Sequence, residues 1–162
     1  METRRAVERL YHLLQERGET LTTAESCTGG LVAAFLTEQP GMSAVFPGGF
    51  VTYSIAQKEK MLGIPADLLS AHGAVSREAA QAMAEGAARE TGADMALAVT
   101  GNAGPEGSED KPVGLVYLGL YYRGDTQVQE CRFAGDRLEI RRAACLRLLD
   151  MALARLTGEK EP

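Results

Sequence analysis

The segment LTTAESCTGG, residues 21–30, carries side chains that can do nucleophilic chemistry. Ser26 stands between a strand-like stretch and a helix-like stretch that begins with Thr28, Gly29 and Gly30. A serine at such a junction is typical of a helix N-cap. The same position suits a nucleophile, because the backbone N–H groups of a helix start stabilise anions such as the oxyanion of acyl transfer. The local sequence leaves both interpretations of Ser26 open.

A serine nucleophile needs a base, and the two histidines, His12 and His72, form no Ser-His triad with it. Lys58 is the better candidate, since it lies at a predicted strand-to-helix turn in TYSIAQKEKMLG, five residues after Tyr53. Desolvation lowers the pKa of a lysine, and a neutral lysine can take the proton of Ser26. Tyr53 can relay that proton or orient the ammonium. The alternative is a solvated helix lysine and an ordinary strand tyrosine.

Cys27 is a rival nucleophile, because a thiol at a helix N-terminus can have a lowered pKa. No cationic partner for this thiol is apparent in the sequence. The alternative is a small hydrophobic side chain in the core.

The stretch TGNAGPEGSEDKPVG, residues 100–114, predicts a loop after an apolar strand. Its glycines, Gly101, Gly104 and Gly107, can let backbone N–H groups approach a phosphate or carboxylate. The loop lacks the GK[ST] ending of a nucleotide-binding P-loop, so triphosphate binding is not predicted. A plain connection between elements is the alternative.

Arg137, in AGDRLEIRR, falls in the first turn of a predicted helix, where a cation opposes the helix dipole. An anionic ligand at that terminus would explain its placement. The alternative is a surface arginine paired with Asp136 or Glu139. The sequence has no HExxH motif and no His/Cys set with ligand spacing, so we predict no metal.

Composition restricts the class of protein. The chain has 162 residues, a formal net charge of −5 and 45% apolar residues, which predicts one globular domain with its core at about 3–157. No basic cluster indicates a nucleic-acid surface, and no apolar run reaches the ~20 residues of a membrane helix. No signal peptide is recognised. Three cysteines without a CxxC pair favour a reducing compartment, so we expect a cytoplasmic protein.

Helix-like and strand-like segments alternate along the chain, with one late hairpin. This order predicts an α/β fold, a three-layer α/β/α sandwich around a mixed, mostly buried sheet. Ser76 predicts a helix N-cap, and Asp136 with Glu139 a capping box. Helices are predicted at 3–17, 28–38, 55–62, 77–91 and from Asp136 to about 156, and strands at 20–24, 46–54, 94–100, 113–122 and 126–133.

Six blocks in a fixed order resemble the CinA C-terminal domain family over about residues 5–155. They are TTAESCTGG, GGFVTYSIAQKEKMLGI, HGAVS, VTGNAGPEG, KPVGLVYLGL and AGDR-x3-RR. The resemblance implies an α/β/α sandwich. It also implies an activity, because active members hydrolyse the carboxamide of nicotinamide mononucleotide to nicotinate mononucleotide and ammonia. They use a serine and a lysine base, with no metal or other cofactor.

The resemblance assigns roles to positions of this chain. It implies Ser26 as nucleophile and Lys58 as base, with Tyr53 beside them. The motif positions that line the family's site correspond to Thr28, Gly29, Gly30, Thr100 and Gly101. Gly104 and Arg137 are added as candidates for the substrate phosphate, from the loop and helix arguments above.

Two positions depart from the family pattern. Ile55 follows TYS where many members have Asn, and Asn102 follows the loop glycine where many have an apolar residue. These changes bear on the substrate pocket and keep open an amidase for a different pyridine amide. A separate alternative is a non-catalytic nucleotide-binding or regulatory domain, which would keep the glycine loop without the chemistry. We expect a small nucleotide as ligand, no nucleic acid or membrane partner, and a possible homodimer.

Overall fold

The helices and strands of this computed structural model alternate along the described residues, 2–159. The helices are α1 (Glu2–Arg17), α2 (Leu31–Thr37), α3 (Ile55–Leu62), α4 (Ala66–His72), α5 (Arg77–Thr91) and α6 (Arg137–Thr157). The strands are β1 (Leu21–Glu25), β2 (Phe50–Val51), β3 (Met95–Gly101), β4 (Leu115–Tyr122) and β5 (Asp125–Arg132). Within this part of the chain, no helix has the length and apolar character needed to cross a bilayer.

The five strands form one mixed sheet in the order β2-β1-β3-β4-β5. Strand β1 runs parallel to both β2 and β3, and β4 runs antiparallel to β3 and β5. The β4–β5 hairpin turns at Arg123 and Gly124, which have φ of 50° and 95°. Positive φ at both central residues is typical of a type I′ hairpin turn. The predicted hairpin is confirmed.

Apolar clusters cover both faces of the sheet. Strand β3 is buried on both sides, so Met95, Leu97 and Val99 enter one cluster, with α1, α2 and α6, while Ala96 and Ala98 enter the other, with α4 and α5. The small residues on the α5 side let that helix approach closely. A Cβ at Gly119 would lie 2.5 Å from the carbonyl oxygen of Ala80. The predicted three-layer α/β/α sandwich is confirmed.

The predicted helix caps are also present. The N–H of Ala79 donates to Ser76 Oγ at 3.1 Å at the start of α5. At the start of α6 the capping box is complete: Glu139 N–H donates to Asp136 Oδ1 at 2.9 Å, and Asp136 N–H donates to Glu139 Oε2 at 2.7 Å. These local patterns act over three residues, which explains why the sequence alone predicts them.

Three elements differ from the sequence prediction. The strand expected at 46–54 is limited to Phe50–Val51. Helix α4 was not predicted, and it begins directly after Pro65, which occupies the N-cap position. Helix α2 begins at Leu31 instead of residue 28, because Gly29 and Gly30 adopt φ of 58° and 101° and form a turn. Ser26 lies before this turn and directly after β1, at the end of the sheet.

Candidate active site

A cavity of about 330 Å³ lies at the edge of the sheet where the parallel strands β1 and β3 end. Its wall includes the turn after β1, the start of α3, the loop after β3 and the first turn of α6. The carboxyl ends of neighbouring parallel strands are the usual place for a ligand in an open α/β sheet. The topology therefore brings together segments that are far apart in sequence.

Ser26 and Lys58 meet inside this cavity. Lys58 Nζ lies 2.9 Å from Ser26 Oγ, 2.7 Å from the carbonyl oxygen of Thr52 and 3.4 Å from that of Tyr53. The lysine is only 1% exposed, so the alternative of a solvated helix lysine is wrong. Ser54 caps α3 by accepting from Gln57 N–H at 3.2 Å. This helix start directs the residue after Gln57, which is Lys58, toward the sheet.

Burial lowers the pKa of Lys58 from 10.5 to about 8, because water no longer solvates the ammonium. Cys27 and Glu109 act in the opposite direction and raise this pKa. A neutral lysine amine has two N–H donors and one lone pair. The carbonyls of Thr52 and Tyr53 can accept both N–H bonds, which leaves the lone pair for the hydroxyl proton of Ser26.

The start of α2 is occupied by a carboxylate. Glu25 is fully buried, and it accepts from Val32 N–H at 2.8 Å and Ala33 N–H at 3.0 Å. The expectation that this helix start is open to an oxyanion is therefore wrong. The N-cap interpretation of Ser26 is also wrong, because Gly30 occupies the N-cap position and the Ser26 hydroxyl contacts Lys58. Sequence reasoning missed Glu25 because it lies six residues before the helix.

Cys27 lines the same cavity, but the residue is only 7% exposed. Burial raises the pKa of Cys27 to about 11, so little thiolate is present at neutral pH. The electrostatic environment therefore disfavours Cys27 as the nucleophile.

Thr28, Gly29 and Gly30 lie in the turn behind the cavity and are not among its lining residues. The Thr28 carbonyl accepts a hydrogen bond from Arg141 Nη2 at 2.7 Å, which ties the turn to α6. These three residues shape the backbone that presents Ser26. A direct contact with substrate stays a prediction.

Thr100, Gly101 and Gly104 line the cavity, as does Arg137. Arg137 Nη1 donates to the Gly104 carbonyl at 2.6 Å, and Nη2 donates to the Tyr53 hydroxyl at 2.9 Å. Arg137 therefore faces the cavity loop, while Asp136 and Glu139 bond to each other in the capping box.

Tyr53 approaches the Ser-Lys pair through its backbone. Its carbonyl oxygen lies 3.4 Å from Lys58 Nζ, whereas its hydroxyl bonds to Arg137 and the residue as a whole is 60% exposed. Orientation of the lysine by Tyr53 thus occurs through the main chain. A proton relay through the phenol is not prearranged, because its hydroxyl contacts Arg137.

Comparison with known proteins identifies the family. The model of the CinA C-terminal domain matches residues 3–156. The chain belongs to the CinA C-terminal domain family. CinA-like proteins from Citrifermentans bemidjiense and Geobacter sulfurreducens are each 51% identical, over 88% and 93% of this chain but only 35% and 36% of theirs. The chain thus spans about a third of the length of these relatives.

Solved structures support the CinA assignment at nearly full length. A CinA superfamily protein from Klebsiella pneumoniae is 38% identical, with a TM-score of 0.93 over 97% of this chain and 99% of that one. The competence/damage inducible protein CihA from Agrobacterium tumefaciens is 44% identical, with a TM-score of 0.92 over 95% of both chains. The predicted resemblance to the CinA family is confirmed.

In this CinA-family domain, Asn102 organises the loop of the cavity. Its Oδ1 accepts from Ser108 Oγ at 2.6 Å, and its Nδ2 donates to the Lys111 carbonyl at 3.1 Å. The sequence analysis treated Asn102 only as a departure from the family pattern. The sequence did carry a signal for this role, an asparagine inside a Gly/Pro-rich loop, because asparagine side chains commonly bond to the backbone of loops.

Neither histidine lines the cavity. His12 and His72 are both exposed, and His72 Nδ1 lies 3.7 Å from Glu78 Oε1. Within residues 2–159, no group of three or more His, Cys, Asp or Glu side chains is arranged to hold a metal ion. The Ser-Lys pair is therefore the group in the cavity best placed for proton transfer.

Proposed function

We propose that this CinA-family domain is an amidohydrolase that converts nicotinamide mononucleotide to nicotinate mononucleotide and ammonia. One observation carries the proposal: Ser26 Oγ lies 2.9 Å from the amine of a buried lysine, inside an open cavity. A binding module needs no such pair. The family resemblance supplies the substrate, and the geometry supports the reaction type.

The first half of the proposed reaction forms an ester on Ser26. Neutral Lys58 takes the hydroxyl proton as Oγ attacks the carboxamide carbon, so the amide C–N bond can break in the next step. Protonated Lys58 then gives its proton to the departing nitrogen, which leaves as ammonia. The depressed pKa of Lys58, about 8, suits both duties near neutral pH.

The second half of the reaction regenerates the enzyme. Lys58 accepts a proton from a water molecule as the water oxygen attacks the ester carbonyl. The proton returns to Ser26 Oγ as the C–O bond breaks, and the carboxylic acid product leaves. The net change consumes one amide and one water and yields one acid and one ammonia.

The oxyanion needs a donor other than the start of α2. We assign this role to the N–H of Cys27, the residue that follows the nucleophile, as in other serine hydrolases. Among residues 2–159, this N–H donates to no backbone carbonyl, and its hydrogen-bond partner is the thiol of the same residue. Ser26 N–H is engaged, since it donates to the Val99 carbonyl at 2.9 Å.

The substrate phosphate requires a cation or backbone N–H groups. Arg137 is the cavity's guanidinium, and it can exchange its bonds to Tyr53 and Gly104 for a charge-assisted bond to phosphate. The backbone of the loop after β3 provides further donors.

The test is ammonia release from nicotinamide mononucleotide in the presence of EDTA. We expect turnover by wild type and a loss of at least about 1,000-fold in kcat for Ser26→Ala and Lys58→Ala. Lys60→Ala is the matched control, since Lys60 lies on the same helix but is exposed. Full activity of Ser26→Ala contradicts the nucleophile assignment, and loss of activity with EDTA contradicts a metal-free reaction.

Ile55 and Asn102 both line the cavity, and this observation keeps a different pyridine amide as the second candidate substrate. Comparing kcat/KM for nicotinamide mononucleotide, nicotinamide riboside and nicotinamide decides between them. Tight binding of the mononucleotide by wild type without turnover would instead favour a non-catalytic binding domain.

A further inference from the structure

The carboxylate of Glu109 is fixed in the wall of the cavity. Val75 N–H lies 3.0 Å from Glu109 Oε1 and 3.1 Å from Oε2. Glu109 and the next residue, Asp110, have φ of 57° and 55°, in a tight turn closed by Lys111 N–H, which donates to the Ser108 carbonyl at 2.9 Å. Two left-handed non-glycine residues in succession are uncommon and require support from their surroundings.

Lys111 supplies part of that support. Its ammonium donates to the carbonyl of His72 at 3.2 Å and to the carbonyl of Val75. The turn is thus held on the segment before α5 by two residues, Lys111 and Glu109. This holds the Glu109 carboxylate in the wall of the cavity.

The Glu109 carboxylate acts on the space where the reaction takes place. Glu109 lines the same cavity as Ser26 and Lys58, and its negative charge raises the pKa of Lys58. Arg137 lines another part of the wall, where it bonds to Tyr53 and Gly104. Within residues 2–159 no ion pair joins Glu109 to Arg137, so the cavity offers separate anionic and cationic positions.

We propose that Glu109 determines specificity by favouring substrates whose amide-bearing ring carries a positive charge. This inference rests on the proposed function. When the carboxamide carbon is placed at Ser26 Oγ, the ring attached to it must lie inside the cavity. A pyridinium ring then lies in the field of Glu109, while the phosphate can reach Arg137.

The effect of Glu109 on the pKa of Lys58 cannot by itself explain weaker binding of a cationic ligand when the Glu109 charge is removed. Removing the Glu109 charge lowers the pKa of Lys58, so fewer lysines are protonated and a cationic ring is repelled less. That change alone would tighten the binding of a cation. Weaker binding of the cation in a Glu109→Gln variant therefore reports the direct attraction between the carboxylate and the ring.

The experiment compares two ligands that differ in ring charge. Nicotinamide mononucleotide has a cationic ring, whereas its 1,4-dihydro form has a neutral ring with the same carboxamide, ribose and phosphate. Calorimetric Kd values are measured in the Ser26→Ala background, where turnover does not interfere. The attraction between opposite charges in a partly solvated cavity predicts that Glu109→Gln weakens the binding of the cationic ligand by about 5–20-fold. The binding of the neutral ligand should weaken by less than about 2-fold.

Asp110→Asn is the matched control. It removes the same charge from the neighbouring residue of the same turn, but Asp110 is not among the cavity-lining residues. Asparagine also tolerates the left-handed backbone at this position. We expect the Kd values of both ligands to stay within about 2-fold of the parent.

The outcomes separate the two proposals. If the binding of both ligands weakens equally, or if the ratio of their Kd values does not change, the role of Glu109 is overturned. The deamidase proposal is then left to the ammonia assay. If the parent binds no nicotinamide mononucleotide, both proposals fall. If Glu109→Gln does not fold, the salt dependence of the two Kd values of the parent decides. The preference of the parent for the cationic ring must shrink as ionic strength rises.

Discussion

Lys58 combines two properties that normally exclude each other, a charged amine and nearly complete burial. The carbonyls of Thr52 and Tyr53 and the hydroxyl of Ser26 replace its hydration shell. Three oxygen atoms on one amine do not fully compensate for lost water, and the pKa falls to about 8. A lysine with this pKa can act as base and acid at neutral pH.

The pH dependence of the proposed reaction follows from this pKa. Lys58 must be neutral to accept the Ser26 proton, so kcat/KM rises with pH, with a midpoint near 8. Initial rates of ammonia release between pH 6.5 and 9.5 measure the profile. A flat profile across this range contradicts the role of Lys58 as base.

Replacement of Lys58 by methionine is expected to stabilise the fold. A pKa near 8 instead of 10.5 means that the folded state disfavours the ammonium by about 3 kcal/mol. Methionine removes this penalty but leaves carbonyl partners unsatisfied, so we expect a gain of about 1–3 kcal/mol in the free energy of unfolding at pH 7. Urea denaturation measures it, and destabilisation contradicts the assignment.

The same stability difference depends on pH in a defined direction. Between pH 8 and 10.5 the unfolded chain binds a proton at Lys58 that the folded protein does not, so wild-type stability rises with pH. The advantage of Lys58→Met is therefore largest below pH 8 and shrinks above it. Lys60→Met, on an exposed position of α3, serves as the control and gains nothing.

Among the elements, α2 depends on a carboxylate outside the helix. Glu25 ends β1 and receives two N–H bonds from the first turn of α2. Glu25→Gln keeps the shape but can accept only through one oxygen, so we expect a loss of about 1–2 kcal/mol in the free energy of unfolding. Glu38→Gln, at the other end of α2, is expected to have no such cost. Thermal denaturation compares the two, and equal effects contradict the capping role of Glu25.

The loop after β3 depends on Asn102. Its side chain bonds to Ser108 Oγ and to the Lys111 carbonyl, which joins the start of the loop to its end. Asn102→Ala should loosen the wall of the cavity and raise KM for the mononucleotide by about 5–10-fold, with a smaller effect on kcat. Ser108→Ala removes one of these bonds, so its KM should lie between the values for wild type and Asn102→Ala. An unchanged KM in Asn102→Ala contradicts this role.

At the scale of the whole molecule, exposed apolar side chains lie near the candidate site. Val51, Ile55 and Leu138 are 47%, 49% and 44% exposed, and Ile55 lines the cavity itself. We propose that these side chains are covered in a homodimer, since burying apolar surface drives association. Light scattering should give about twice the chain mass of 17.3 kDa, and a smaller value for Leu138→Ser. A monomer at all concentrations contradicts the proposal.

Local patterns determined much of this fold from sequence. The capping box of α6, the cap of α5 and the continuous apolar run of β3 depend on residues within a few positions of each other. The order of motifs predicted the CinA family and selected Ser26 and Lys58 as partners. The two cap predictions and the buried strand are confirmed, because short-range hydrogen bonds and burial on both faces leave a direct mark on the sequence.

Contacts between different elements decided the rest. The carboxylate of Glu25 occupies the start of α2, the Tyr53 hydroxyl bonds to Arg137, and the Glu109 carboxylate bonds to the backbone of Val75. The Glu25 contact spans the turn at Gly29 and Gly30, and the other two contacts join segments that lie far apart in the sequence. Spacing and family pattern thus named Ser26 and Lys58, whose roles as nucleophile and base stay predictions, but the 2.9 Å separation and the desolvation of Lys58 arise only when the sheet assembles.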